Sequence, residues 1–148
     1  MPVTDAIGLA TSFRKTVSES DVYLFAGITG DLSPNHVDQA YMETTPYGGR
    51  IAHGALLVGY MSGCSTDSVQ QCVSLQDHQP VSLGYDRIRF MKAVMIGDTI
   101  VLRYKITSAD EVKSRTIADI TIHNQRGELC AVAIHVMSWL KPSTEKTP

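Results

Sequence analysis

The stretch IVLRYKI, residues 100–106, alternates without a break. Ile100, Leu102, Tyr104 and Ile106 fall on one side, Val101, Arg103 and Lys105 on the other. A period of two sustained over such a run marks a strand with one buried face. The parity recurs in SRTIADITIH (114–123), where Ala118, Ile120 and Ile122 share a face opposite Asp119, Thr121 and His123. NQRG (124–127) reads as a turn, and ELCAVAIHVMSWL (128–140) returns with Val132, Ile134 and Val136 on one face. Upstream, VSLGYDRIRFMKAV (81–94) supplies another long strand, closed by the turn glycine of MIGDT. The second half therefore predicts three or four long antiparallel strands joined by short turns.

A sheet with one apolar face needs a cover. HGALLVGYMSGC (53–64) provides one: a helix starting near His53, with Gly59 and Gly63 lowering its propensity so that packing must hold it. The first half otherwise reads as helical and loop-rich. Ser18 is placed to cap a helix through VYLFAGIT, with Asp21 three residues on. Pro46, Gly48 and Gly49 punctuate a loop. The expected class is α+β: one domain over residues 1–140, a curved antiparallel sheet wrapped on a long central helix. KPSTEKTP (141–148) is expected to be a flexible tail.

Bulk properties narrow the function. A chain of 148 residues with 43% hydrophobic and 19% charged residues is an ordinary globular domain. A net charge of −2 gives no electrostatic reason to expect nucleic acid or an anionic membrane. No apolar run approaches the roughly 18 residues that span a bilayer, and the start shows no secretion signal. Cys64, Cys72 and Cys130, in apolar surroundings at non-metal spacings, are expected to be buried free thiols in a reducing cytoplasm.

The chemistry concentrates in GDLSPNHVD (30–38), just before the central helix. Pro34 fixes its own φ and pushes Ser33 into an extended conformation, so the loop is stiff. A stiff loop suits an acid–base pair, Asp31 and His36, which must be held on one reacting atom. The plainer alternative makes Asp31 an Asx-turn residue and His36 a helix-start residue. Gly54 likewise has two readings. It is either a backbone donor at the positive helix end that a carbonyl oxygen can approach, or a glycine required by close packing. His53 is expected to be a packed residue rather than a ligand. A metal at His36 and His53 finds no third ligand at recognisable spacing. His78, His123 and His135 are expected to do no chemistry, the last two lying opposite the apolar strand faces. Arg50, Arg87, Arg89 and Lys92 are candidate phosphate contacts, although such strand-end cations are mostly solvated.

At these residues the sequence resembles the MaoC-like (R)-specific enoyl-CoA hydratases. Their signature is Gly-Asp-x-Asn-Pro-x-His, then a loop and a His-Gly that opens the central helix. GDLSPNHVDQAYMETTPYGGRIAHGALLVGYMSG (30–63) carries it, and RIRFMKAVMIGDTIVL (87–102) is similar to the family's long strand and Gly-Asp-Thr turn. The resemblance implies a hot dog fold and a homodimer with acyl-thioester sites near the subunit interface. It implies reversible hydration of trans-2-enoyl-CoA to (3R)-3-hydroxyacyl-CoA in acyl-CoA and fatty acid metabolism, without metal or redox cofactor. In that reading Asp31 and His36 are catalytic and the Gly54 N–H is the oxyanion donor, with Ser33 and Ser62 in support. The family's Asn is Ser33 here, shorter and without an amide. Ser62, eight residues after Gly54, is expected on the same helical face. Two alternatives stand beside it: a thioesterase on the same fold and a non-catalytic acyl-thioester binder. Chain length, and coenzyme A against carrier protein, stay open.

Overall fold

The computed structural model describes residues 2–142. A 3-10 turn, Val3–Ala6, leads into strand β1 (Ala10–Thr16). Helices α1 (Glu19–Thr29), α2 (Pro34–Val37), α3 (Gln39–Glu43) and α4 (Gly54–Gln71) follow. Strands β2 (Gln79–Phe90), β3 (Thr99–Asp110), β4 (Arg115–His123) and β5 (Leu129–Leu140) complete the domain. The five strands form one sheet in the order β1-β3-β4-β5-β2, every neighbouring pair antiparallel.

The predicted helix-on-sheet architecture is present. Leu56, Leu57, Met61 and Cys64 of α4 are buried in one cluster with Ile100, Leu102, Tyr104 and Ile106 of β3 and Ala118, Ile120 and Ile122 of β4. The helix runs to Gln71, seven residues past the expected stretch. The α1 cap is a full capping box: Ser18 Oγ accepts the Asp21 N–H, and the Asp21 carboxylate accepts the Ser18 N–H. The NQRG turn closes with Gly127 at φ 76° and the Asn124 side-chain Oδ1 accepting the Arg126 and Glu128 N–H groups. All three cysteines are buried and free.

Two sequence expectations fail. β1 lies in the half expected to hold no strand. Its inward positions are Thr11, Phe13 and Lys15, paired with Tyr104, Leu102 and Ile100, so only one of the three is apolar and no alternation shows. The parity of β5 is also reversed. Ala131, Ala133, His135, Met137 and Trp139 are buried, while Val132, Ile134 and Val136 lie half-buried on the other face. Directly opposed residues of an antiparallel pair share a face. Ala118 opposite His135 and Ile120 opposite Ala133 therefore turn those β5 residues to the core.

No helix among the described residues is long and apolar enough to cross a membrane. Residues 143–148 of the expected tail lie outside the described residues; Lys141 and Pro142 are exposed and in no element.

Candidate active site

α1 ends where the loop begins. Gly30 caps it at φ 78°, a left-handed turn that favours glycine, and its N–H donates to the Ala26 carbonyl. The chain then presents Asp31, whose side chain is half exposed. Asp31 Oδ1 accepts the Ser33 N–H at 3.3 Å, so the Asx-turn reading holds, and the other oxygen remains free for chemistry. Oδ2 lies 4.0 Å from His36 Nε2.

His36 is buried, 8% exposed, within the short turn of α2 that Pro34 opens. Its Nδ1 is 2.7 Å from the Ile51 carbonyl. A carbonyl only accepts, so Nδ1 carries the hydrogen, and in the neutral ring Nε2 faces Asp31 with a lone pair. The Ile51 N–H in turn donates to the Asn35 carbonyl. Loop and α4 entry are thus tied together in both directions.

His53 caps α4 and is 2% exposed, the packed residue expected. Its ring lies between Phe25, centroids 4.7 Å apart, and His36, stacked at 3.7 Å. Nε2 stands 3.0 Å from the Asp31 carbonyl and must donate to it. Nδ1 is buried with no partner. One ligand atom each from Asp31, His36 and His53 fall within 4.8 Å of one another, so the fold supplies the third group that sequence spacing lacked. Because His53 Nε2 is committed to donation, the Asp31 carboxylate and His36 Nε2 are the groups left facing a shared space. Two acceptors 4.0 Å apart both reach a single water, which has one hydrogen for each.

His36 and Gly54 line one cavity of about 250 Å³, together with Tyr47, Phe90, Lys92 and Val94. Asp31 joins them through its approach to His36. Gly54 is the first residue of α4, so its N–H has no partner within the helix. A Cβ there would come within 2.4 Å of the Phe90 ring, as the packing reading of this glycine expects.

The remaining candidates separate. Ser33 is half-buried at the head of α2 and holds the loop through its backbone. Ser62 is exposed and lines a different cavity with Ser65 and Ser82. Two turns of helix carry it roughly 12 Å along the axis, so it does not join the pocket of His36 and Gly54. Of the four cations, only Lys92 lines that pocket, paired with Glu128 at 2.6 Å. Arg50 holds Glu19 and Gln39. Arg87 sits on the outer sheet face at a bulge, with φ 51°, and Arg89 donates to the Ile88 carbonyl. His135 is the residue that sequence reasoning misplaced. It is fully buried, with Nδ1 and Nε2 each 2.8 Å from a hydroxyl, of Tyr104 and Ser82 respectively.

The chain is similar to several known proteins. A family model described as the MaoC like domain matches residues 5–125. An (R)-specific enoyl-CoA hydratase of Rhodospirillum rubrum is 36% identical over 100 residues, 68% of this chain. The match spans 65% of that protein, just under two thirds of its length. The solved (R)-hydratase of Aeromonas caviae, involved in PHA biosynthesis, superposes with a TM-score of 0.78 at 26% identity, covering 92% of this chain and 96% of that one. An Archaeoglobus protein described as a monoamine oxidase regulatory protein superposes at 0.79 with 28% identity, covering 92% of each chain.

Proposed function

Since the chain belongs to the MaoC-like domain family, we propose that it is a hydro-lyase that hydrates trans-2-enoyl thioesters to (3R)-3-hydroxyacyl thioesters and catalyses the reverse dehydration. One observation carries the reading. Two acceptors, Asp31 Oδ2 and His36 Nε2, face each other at 4.0 Å with the imidazole tautomer fixed by Ile51, beside the open N–H of Gly54.

In this reading the bound water donates one hydrogen to each member of the pair. His36 Nε2 takes a proton as the water oxygen adds to C3 of the enoyl group. The C2=C3 electrons move toward the thioester carbonyl, whose oxygen gains enolate charge against the Gly54 N–H and the helix dipole. The enolate collapses and C2 receives the proton from the pair, so water is added across the double bond and both side chains return to their starting state. His53 holds the arrangement through the Asp31 carbonyl and the face of His36. Ser33 supports the loop by its backbone. The thioester is of coenzyme A or an acyl-carrier protein, and the working form is a homodimer of cytoplasmic enzymes.

The test is an absorbance assay on a panel of enoyl-CoAs. Wild type removes the conjugated enoyl band and leaves the thioester intact. Asp31→Asn and His36→Gln each lower turnover by at least ~10², and the double variant is little worse than either, because the two act on one water. Thiol release with the enoyl band retained would instead mark a thioesterase. Full activity of Asp31→Asn would overturn the mechanism.

A further inference from the structure

The outer face of the sheet holds a concavity of about 330 Å³ that shares no lining residue with the pocket of His36 and Gly54. Strand register builds it. Arg14 of β1 and His123 of β4 lie directly opposite Val101 of β3, one on each side, so the three form a row across the sheet. Arg103, two residues along β3, is diagonal to both. Ile100 and Leu102 are fully buried, so Val101 and Arg103 point outward, and opposed residues share that face. Two guanidiniums and an imidazole thus gather around one half-buried valine. The β4–β5 turn walls one end. Its side-chain amides are already committed, Asn124 Nδ2 to Glu128 and Gln125 Nε2 to Asp98, each at 2.7 Å.

The two arginines differ from their neighbours in having no acidic partner. Lys105 stands directly opposite Asp119, and Arg115 opposite Asp110. Lys15 pairs with Asp21, and Lys92 and Arg126 share Glu128. Among the described residues Arg14 and Arg103 form no ion pair, and no carboxylate lines the concavity. Protection of an edge strand accounts for a charge on β1. It does not account for Arg103 and His123, because β3 and β4 are interior strands. Like charges gathered across neighbouring strands destabilise a sheet. A local rule broken without compensation within the chain marks a functional position.

We propose that this concavity binds a phosphate monoester. A guanidinium fork meets two phosphate oxygens at once, and two forks with an imidazole N–H suit three terminal oxygens and a double charge. A carboxylate, with two oxygens and one charge, leaves one arginine unanswered. The hollow concentrates the field of both arginines at one point. Val101 gives the organic group of the ester an apolar floor. The site is separate from Asp31 and His36 and does not rest on the hydratase reading.

The experiment is a calorimetric titration at constant ionic strength with three probes: inorganic phosphate, phenyl phosphate and acetate. Both phosphates are expected to bind saturably at one site, and acetate at least about tenfold more weakly. Arg14→Gln and Arg103→Gln, at exposed positions, are expected to fold and each to weaken phosphate binding by about tenfold. No saturable binding of either phosphate, equal binding of acetate, or unchanged affinity in both variants overturns the site. The KM for crotonyl-CoA then identifies where the ester comes from. A KM that rises in the variants together with lost phosphate binding points to the nucleotide phosphate of the substrate itself. An unchanged KM with lost phosphate binding points to a separate phosphorylated ligand. Failure of wild type to hydrate crotonyl-CoA removes the hydratase reading and leaves a phosphate site shown by titration in place.

Discussion

Phe90 covers Gly54 so closely that the two explanations of this glycine need separating by experiment. A methyl at Gly54 meets the ring at 2.4 Å, but Phe90 is 55% exposed and is free to swing aside. Gly54→Ala keeps the N–H but sets a methyl in the path of the thioester oxygen, so it is expected to fold and to lose turnover by about tenfold or more, up to the ~10²–10³ that one oxyanion donor is worth. Combining it with Phe90→Ala decides the cause. Recovery of turnover in the pair would reduce Gly54 to a packing residue; persistent loss keeps the backbone donor. Ser33 is tested in the opposite direction. Its backbone N–H bonds Asp31 and its side chain is partly exposed, so Ser33→Asn is expected to fold, with activity on crotonyl-CoA held or raised. A fall of about tenfold, roughly 1.4 kcal/mol of barrier, would mean that Ser33 is fitted to a different substrate.

At the level of elements, α4 and β5 differ in how far the sequence revealed them. Capping residues and alternation are local, so Ser18 with Asp21 located α1, and Ile100 to Ile106 located β3. The face of β5 is set by its partners: in isolation Val132, Ile134 and Val136 look like the core, and the opposing Ala118 and Ile120 decide otherwise. The site was legible for the same reason in reverse. Asp31, Pro34 and His36 are neighbours in sequence, whereas the relay of Tyr104, His135 and Ser82 joins three strands far apart in the chain. That relay has a pH consequence. The folded-state pKa of His135 is lowered by burial to about 4 from 6.5, so at intermediate pH the unfolded chain binds the proton and the folded one does not. Stability is fully present above about pH 6.5 and falls as pH drops toward 4, by up to roughly 3 kcal/mol. Denaturant midpoints across this range are expected to show the decline in wild type and a shallower one in His135→Gln. Gly59 offers a second check on α4: it is exposed, and a Cβ there meets nothing within 4 Å. Gly59→Ala is expected to stabilise the domain by about 0.5–1 kcal/mol through helix propensity alone.

The whole molecule leaves its two sheet edges unequal. β1 is seven residues long and carries Arg14, Lys15 and three hydroxyl side chains, the kind of short, polar, charged edge that resists pairing. β2 is twelve residues long, pairs among the described residues only with β5, and exposes Val81, Leu83 and Phe90, with Met91 just beyond. An apolar edge of that length is a template for another strand, and a second copy joined by a two-fold axis would satisfy it by setting β2 antiparallel to its twin. Phe90 at the end of that edge lines the cavity of His36 and Gly54, so a partner strand there would stand beside the candidate site. Light scattering is expected to give a dimer at micromolar concentration. Leu83→Lys, placing a charge at the centre of that edge, is expected to shift the population to monomer and to lower kcat/KM for crotonyl-CoA. A wild type that stays monomeric and fully active would show that one chain holds the whole site.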